Sequence, residues 1–223
     1  MNAGETQRTP WIVGVSGASG TPYAAAVLRA LLAAGESVDL VVSRASRLTL
    51  LDETGISFRD AHWADDLREW LARGADGKPD TFTVDVGAVR YWSAGDLAAG
   101  PSSGSYPTKG MIIVPASTAS VAGVALGLSK DLLQRAASVT LKERRRLVVA
   151  VRETPLDGRT LRHLVTLDDA GVTVVPCSPA FYAGATHIQD LVDFVAGRVL
   201  DAAGVPHGLY RRWKGELGGG AER

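Results

Sequence analysis

Residues 11–22 read Trp-Ile-Val-Gly-Val-Ser-Gly-Ala-Ser-Gly-Thr-Pro, a short apolar run that passes into a glycine-rich turn. The first five residues are typical of a strand that is buried on both faces. Gly17 and Gly20 mark a turn, and Pro22 fits the first position of a helix. Gly20 or Thr21 can cap that helix. Free amide groups at such a helix start bind anions, so the sequence predicts a bound phosphate here.

The spacing of the glycines indicates which kind of phosphate compound this turn would bind. They fall at Gly14, Gly17 and Gly20. Ser16 stands where a dinucleotide-binding fingerprint has its second glycine. That fingerprint also has an acidic residue at the end of the next strand, whereas the next predicted strand here ends in Ser43. We therefore expect a mononucleotide, with a phosphate or a flavin edge near this serine. A plain strand-to-helix turn without a ligand is the alternative, since glycine turns are common.

The composition excludes several classes of protein. Lysine and arginine together number 24, as do aspartate and glutamate, so no net charge would attract nucleic acid or an anionic membrane. Cys177 is the only cysteine, which excludes an internal disulfide, and the four histidines are scattered, so we predict no metal site. No apolar run is long enough for a membrane span. We expect a cytoplasmic protein with one domain over residues 1–223, in which 1–10 are disordered and 214–223 form a tail.

Predicted strands alternate with predicted helices along the chain, which is typical of an α/β fold with an open parallel sheet covered on both faces. Residues 74–109 are mostly irregular, with a possible strand at 81–86, and are interpreted as a functional loop or a mobile linker. The charged run 142–146 is interpreted as a solvated helix end. The predicted strands are 11–15, 38–42, 111–115, 147–151 and 172–175, and the predicted helices are 23–34, 44–53, 62–73, 117–127, 130–141, 158–170 and 188–203.

Polar residues and glycines follow each of the five predicted strands. Since ligands bind beyond the carboxyl ends of the strands in an open parallel sheet, this pattern predicts a small-molecule site. Arg152 comes directly after a buried strand, where a phosphate or a flavin carbonyl would pair with its guanidinium. A salt bridge with Glu153 or another carboxylate is the alternative for this arginine. The groups at the strand ends are Gly17-Ala18-Ser19, Ser43, Ser117 to Ser120, Arg152-Glu153 and Tyr182.

Several segments of the chain match one known family, namely Val15–Gly20, Val42–Ala45 with Glu53, Ser102–Ser105, Ala136–Arg145, Val151–Leu156 and Pro179–Tyr182. Through these segments the chain resembles the UbiX-type flavin prenyltransferases over nearly its whole length. The resemblance implies a flavodoxin-like or Rossmann-like three-layer sandwich, assembled as a dodecamer with active sites where subunits meet. It also implies the transfer of a dimethylallyl group from dimethylallyl phosphate to N5 and C6 of reduced FMN, which supplies prenylated FMN to a UbiD-type decarboxylase.

The resemblance also implies roles for individual residues. Glu53, Glu153, Lys142 and Ser19 match catalytic residues, the serine as a hydroxyl in the proton path. Tyr182, Arg198 and Lys142 match contacts to the prenyl phosphate, which makes the lysine an exception to the solvated run. No metal is needed for a phosphate leaving group that cations stabilise. The matches to FMN contacts are Gly17, Ala18, Ser19, Ser43, Ser117, Thr118, Ala119, Ser120 and Arg152.

The chain departs from this family at three places, namely 183–186, Arg146 and 57–100.

Flavoprotein cysteine decarboxylases are an alternative, because residues 115–120 resemble their Pro-Ala-Ser-Ala-Asn-Thr segment. This chain lacks their asparagine and their Pro-x-Met-Asn clamp. A flavin carrier without catalysis is a further alternative, and the presence of residues matching the catalytic set disfavours it.

Overall fold

A six-stranded parallel sheet forms the centre of the computed structural model, which describes residues 8–79, 82–213 and 215. Within these residues the strand order is β3-β2-β1-β4-β5-β6, which is the Rossmann-like order. The strand order reverses between β1 and β4, which lie side by side and pair in parallel. The strands are β1 Trp11–Val15, β2 Val38–Val42, β3 Val89–Ser93, β4 Gly110–Ala116, β5 Arg146–Val151 and β6 Thr173–Pro176.

Helices cover both faces of the sheet, which confirms the predicted three-layer sandwich. Side chains alternate along each strand, so that Val13 contributes to one apolar cluster and Ile12 to the other. Helices α1, α2, α3 and α7 contribute to the first cluster, and α4, α5 and α6 to the second. In the described ranges the helices are α1 Thr21–Ala33, α2 Arg44–Thr54, α3 Trp63–Leu71, α4 Thr118–Ala125, α5 Leu132–Lys142, α6 Gly158–Asp169 and α7 Ile188–Ala203.

The edge strand β3 differs from the sequence prediction, which left residues 74–109 irregular. It pairs in parallel with β2, and only its first residue is fully buried. An edge strand with one half-exposed face lacks the continuous apolar run by which the buried strands were recognised. The strand predicted at 81–86 is wrong over 82–86, where the chain is irregular or forms a 3-10 turn. Residue 81 lies outside the described residues.

The charged run 142–146 is only partly the solvated helix end that the sequence predicted. The Arg145 guanidinium donates to the carbonyl oxygens of Tyr106 at 2.8 Å and Gly104 at 2.7 Å. Arg146 donates to the carbonyl of Ala203 at the end of α7. These two arginines therefore fix a loop and a helix end, because they satisfy carbonyl groups that lack backbone partners.

The two chain ends fall largely outside the described residues, which begin at Arg8 and of which Gly215 is the last. Arg8 pairs with Asp39, a buried residue of β2, and donates to the carbonyl of Val38 at 2.8 Å. Asp39 also accepts hydrogen bonds from Trp92 and Tyr106. A buried carboxylate with these donors joins the start of the chain to the edge of the sheet.

Candidate active site

The carboxyl ends of β1 and β4 are joined by Ser16, which is fully buried. Its hydroxyl donates to the carbonyl of Pro115 at 2.9 Å and accepts from the amide of Ser117 at 2.7 Å. Ser16 thus stands where the dinucleotide-binding fingerprint has its second glycine. It joins the ends of β1 and β4 at the point where the strand order reverses. Sequence reasoning assigned no role to this side chain. A hydroxyl at the end of a buried strand was the available signal, because a buried hydroxyl needs hydrogen-bond partners.

The turn after Ser16 packs closely against the start of α2. A Cβ atom on Gly17 would lie 2.4 Å from the Cβ of Ala45, so glycine is required by contact. Gly20 has a φ of 113°, a left-handed conformation that favours glycine, and it forms the N-cap of α1. Both glycines of the predicted turn are therefore required for a physical reason. The turn places Ala18 and Ser19 at the edge of the sheet where the strands end.

Glu53, near the end of α2, binds the start of α1. Its carboxylate accepts hydrogen bonds from the amides of Gly20 and Thr21, each at 2.8 Å, and from the Thr21 hydroxyl at 2.6 Å. The phosphate predicted at this helix start is thus replaced by a carboxylate of the chain itself. Desolvation raises the pKa of Glu53, but hydrogen bonds from Thr21, Ser19 and Gly20 outweigh it and hold the pKa below its ordinary value.

Ser43 and Ser117 are the N-caps of α2 and α4, as expected for serines at strand ends. The Ser43 hydroxyl accepts from the amide of Ser46 at 3.1 Å, and the Ser117 hydroxyl accepts from the amide of Ser120 at 3.3 Å. The Ser120 side chain is buried, Thr118 is half-buried and Ala119 is exposed. The backbone amides of the first residues of α4 have no acceptor within the helix. The start of α4 lies where the strand order reverses, and it can therefore bind an anion.

Arg152 follows β5 and is half-buried at the same edge of the sheet. Its amide donates to the carbonyl of Ala116 at 3.1 Å, which places it beside the end of β4. Among the described residues, no carboxylate lies within salt-bridge distance of its guanidinium, and Glu153 instead accepts from the amide of Thr154 at 2.9 Å. The alternative of a salt bridge between Arg152 and Glu153 is therefore wrong. Burial raises the pKa of the Cys177 thiol to about 12 against the opposing charge of Arg152, which disfavours the thiolate form.

Tyr182 and Arg198 lie on one side of α7 and are linked by aromatic rings. Tyr182 packs edge-on against Phe194, with ring centroids 5.6 Å apart, and Phe194 contacts Tyr210 at 4.9 Å. The Tyr210 hydroxyl lies 3.4 Å from the Arg198 guanidinium. Arg198 also pairs with Asp201 at 3.0 Å. The structure thus brings the two residues together and supplies the arginine with a carboxylate partner.

Lys142 does not lie near the other predicted site residues of its own chain. It is the last residue of α5, and β5 begins at Arg146, so Lys142 lies at the edge where the strands start. Arg152 follows the other end of β5, and six residues of strand span about 20 Å. Lys142 pairs with Glu143 and lies beside Gly104, since a Cβ on that glycine would be 2.7 Å from the lysine nitrogen.

Arg135 lies seven residues before Lys142 on α5 and was missed by sequence reasoning. Residues seven apart share one face of a helix. Its guanidinium donates to the carbonyl of Ser102 at 3.1 Å, within the matching segment Ser102–Ser105. This segment therefore lies along α5 between two cations, and its serine hydroxyls add further donors. The Glu143 carboxylate, which pairs with Lys142, lies beside the same segment.

The described residues contain no group of three or more histidine, cysteine, aspartate or glutamate side chains arranged to hold a metal ion. Nor does this part of the chain contain a helix with the length and apolar character that crossing a membrane requires.

Comparison with known proteins gives the same family from sequence and from structure. The flavoprotein family model matches residues 2–200. The flavin prenyltransferase UbiX of Streptomyces coelicolor is 93% identical over 210 residues, which cover 94% of this chain and 97% of the relative. The flavin prenyltransferase UbiX of Synechocystis is 40% identical over 210 residues, which cover 94% and 98%.

Solved structures agree with these sequence relatives. AnUbiX (PadA1), in complex with FMN and dimethylallyl pyrophosphate, matches with a TM-score of 0.78 and 34% identity, covering 94% of this chain and 99% of that one. A dodecameric FMN-dependent UbiX-like decarboxylase from Escherichia coli matches with a TM-score of 0.77 and 36% identity, covering 93% and 100%. The cysteine decarboxylase TvaF, at 12% identity, a TM-score of 0.52 and coverage of 88% and 99%, shares the fold alone. The family predicted from the sequence is confirmed, and the chain belongs to the flavin prenyltransferases of the UbiX type.

Proposed function

We propose that this protein is a flavin prenyltransferase that joins a dimethylallyl group from dimethylallyl phosphate to N5 and C6 of reduced FMN. The observation that carries the proposal is the Arg152 guanidinium, which has no carboxylate partner among the described residues at the edge where the strands end. A half-buried cation without a counterion is costly unless a ligand supplies the negative charge. The family relationship identifies that ligand as a flavin mononucleotide.

The donors around Arg152 suit FMN. They combine a guanidinium, the free amides at the start of α4 and the hydroxyls that follow three strands, which together can bind a phosphate and the polar edge of an isoalloxazine ring. When bound, reduced FMN supplies the nucleophilic N5 and C6 atoms. The residues that we assign to its binding are Gly17, Ala18, Ser19, Ser43, Ser117, Thr118, Ala119, Ser120 and Arg152.

Prenyl transfer needs two bond-forming steps and one returned proton. In the first, a bond from N5 to C1′ of the donor forms as the C1′–O bond breaks, phosphate leaves with the electron pair, and the proton of N5 is released to the departing phosphate. In the second, C6 bonds to C3′ while C6 loses one proton and C2′ gains one. A carboxylate that accepts and returns a proton serves this step, and cations stabilise the departing phosphate.

We assign the proton transfer to Glu153 and not to Glu53. Glu153 is exposed beside Arg152 and accepts a hydrogen bond from Thr154 through one oxygen. Glu53 is held by the start of α1 with a lowered pKa, which makes it a poorer proton acceptor. In this proposal Glu53 fixes the turn that carries Ser19, and the Ser19 hydroxyl lies in the proton path.

We further propose that Tyr182 and Arg198 bind the prenyl phosphate together with Lys142 of a second copy. The lysine lies at the wrong edge to reach Arg152 of its own chain, which supports a site between copies. Exposed leucines suit burial in an assembly, and the similar protein from Escherichia coli is dodecameric. They include Leu48 on α2, which is 71% exposed, and Leu161 on α6, which is 47% exposed.

We propose that the product passes to a UbiD-type decarboxylase in the cytoplasm. The reduced state expected for the single cysteine supports this compartment.

Binding of FMN tests the assignment of Arg152. We expect Arg152→Ala to weaken FMN binding by about 10- to 100-fold, the usual cost of a hydrogen bond to a charged group. Arg159→Ala is the matched control, because this exposed arginine follows the same strand and pairs with Asp157 at 3.0 Å. Anaerobic turnover of FMN, reductant and dimethylallyl phosphate, followed by absorbance and mass, tests the reaction. Unmodified FMN after incubation with the parent protein would contradict it.

A mixed assembly tests whether Lys142 acts between copies. We expect Lys142→Ala and Glu153→Gln to be inactive alone. When the two variants are co-expressed in equal amounts, about a quarter of the sites should regain both groups if the two come from different chains. No activity would return if they act within one chain, because every chain then lacks one group.

A further inference from the structure

Asp39 is a charged residue inside the sheet that the proposed reaction does not use. It lies on β2 and is fully buried. The Arg8 guanidinium pairs with one oxygen of its carboxylate. The other oxygen accepts hydrogen bonds from the indole nitrogen of Trp92 at 2.9 Å and from the hydroxyl of Tyr106 at 2.8 Å. Because a buried carboxylate is stable only with such partners, it holds all three donors in place.

Tyr106 is the donor that connects this carboxylate to another part of the molecule. It belongs to segment 100–106, whereas Trp92 lies on β3, which pairs with β2. A Cβ atom on Gly100 would lie 2.7 Å from the Tyr106 ring, so the segment packs tightly around that ring. Burial and the hydrogen bond to Asp39 raise the pKa of the Tyr106 phenol, which therefore remains a donor.

The backbone of segment 100–106 is held by two arginines on and just after α5. Arg145 donates to the carbonyl oxygens of Tyr106 at 2.8 Å and Gly104 at 2.7 Å. Arg135 donates to the carbonyl oxygen of Ser102 at 3.1 Å. The segment is thus fixed on one side by the buried carboxylate and on the other side by these cations, and its position depends on both.

Segment 100–106 in turn supports the side chain of Lys142. A Cβ atom on Gly104 would clash with the Glu143 carboxylate and would lie 2.7 Å from the Lys142 nitrogen. The ion pair between Lys142 and Glu143 therefore packs directly on the backbone of Gly104. A lysine ammonium on its flexible stem has no fixed position of its own, so this packing decides where the charge lies.

We propose that Asp39 is a positioning residue for the prenyl phosphate site that Lys142 completes in a second copy. Asp39 fixes the Tyr106 ring, the ring fixes segment 100–106, and the segment fixes the lysine. Such support matters because a charged group binds a ligand well only when it is already held in the right place. This inference rests on the proposed function and adds to it a buried carboxylate that sequence reasoning left without a role.

Steady-state kinetics of the FMN-loaded, reduced protein test this chain of contacts. Tyr106→Phe keeps the ring and removes only the donor to Asp39. We expect its KM for dimethylallyl phosphate to rise by about 3- to 10-fold, the range that one hydrogen bond contributes. Its kcat and FMN affinity should stay near those of the parent, because the groups at the strand ends are unchanged.

Trp92→Phe is the matched control. It removes the other donor to the same carboxylate oxygen, but Trp92 lies outside segment 100–106. We expect this variant to lower the Tm as Tyr106→Phe does and to keep the parental KM. Asp39→Asn should raise the KM at least as much as Tyr106→Phe, and combining the two changes should add little, because both weaken the same contact.

Two results would overturn the inference. One is a parental KM for dimethylallyl phosphate in Tyr106→Phe. The other is an equal rise of KM in Tyr106→Phe and Trp92→Phe, since the effect would then come from a general loosening around Asp39. Failure of the proposed function gives a different result, because the parent itself would then form no prenylated FMN at any concentration of dimethylallyl phosphate.

Discussion

Replacement of Glu53 by glutamine tests the contact that holds the glycine turn to α2. The Glu53 carboxylate accepts from the amides of Gly20 and Thr21 at 2.8 Å and from the Thr21 hydroxyl at 2.6 Å. Glutamine has the shape of glutamate, but only one of its side-chain atoms, the carbonyl oxygen, accepts hydrogen bonds. It also lacks the negative charge that is favourable at a helix start. We expect Glu53→Gln to lower the free energy of unfolding by about 1–2 kcal/mol, the scale of a lost helix cap. For a chain of this length, that corresponds to roughly 2–8 °C in Tm.

The loss should depend on pH, and its sign follows from the lowered pKa of Glu53. A carboxyl group whose pKa is lowered by folding stabilises the protein above its ordinary value of 4.5, and this stabilisation is lost as the pH falls through the folded value. The difference in stability between the parent and Glu53→Gln should therefore be full at pH 7 and shrink as the pH falls below 4.5.

Urea denaturation from pH 7 downward, at one fixed protein concentration because the protein is expected to assemble, measures this difference. Asp52→Asn is the control, since the preceding residue on α2 is exposed and makes none of these contacts in the described structure. A variant as stable as the parent at pH 7, or a difference that is the same at every pH, would refute the reasoning.

Three further predictions concern single residues that support the fold. Arg144, two residues after the end of α5, has a φ of 53°, so Arg144→Gly should stabilise the protein by about 0.5–1 kcal/mol. This is the relief of a left-handed residue less the entropy that glycine adds to the unfolded chain, and denaturant midpoints measure it. Gly17→Ala should destabilise by about 1–3 kcal/mol through its contact with Ala45, and Ala45→Gly should rescue it in a double-mutant cycle. Ser16→Ala should cost about 1–3 kcal/mol in urea denaturation, because it leaves the partly buried amide of Ser117 without its partner; a loss under ~0.5 kcal/mol would contradict this.

Local patterns in the sequence determined the main elements and the edge at which the site lies. Strands 11–15 and 38–42 and helix 188–203 begin and end where they were predicted, because a run of buried residues or an apolar stripe is a short-range property of the chain. The parallel arrangement followed from the alternation of strands and helices, and it implied that Arg152 and the capping serines share one edge of the sheet.

The contacts that give this edge its chemistry depended on the tertiary structure. Ser16 meets Pro115 only because β1 lies beside β4, and Glu53 meets Gly20 only because α2 ends beside the start of α1. Residues this far apart in sequence are brought together by the strand order, which local periodicity does not encode. The same order puts Lys142 about 20 Å from Arg152, since helices and strands run in opposite directions in a parallel sheet. Sequence patterns thus determined which groups reach an edge, and long-range packing determined which of them are held by a partner and which remain available to a ligand.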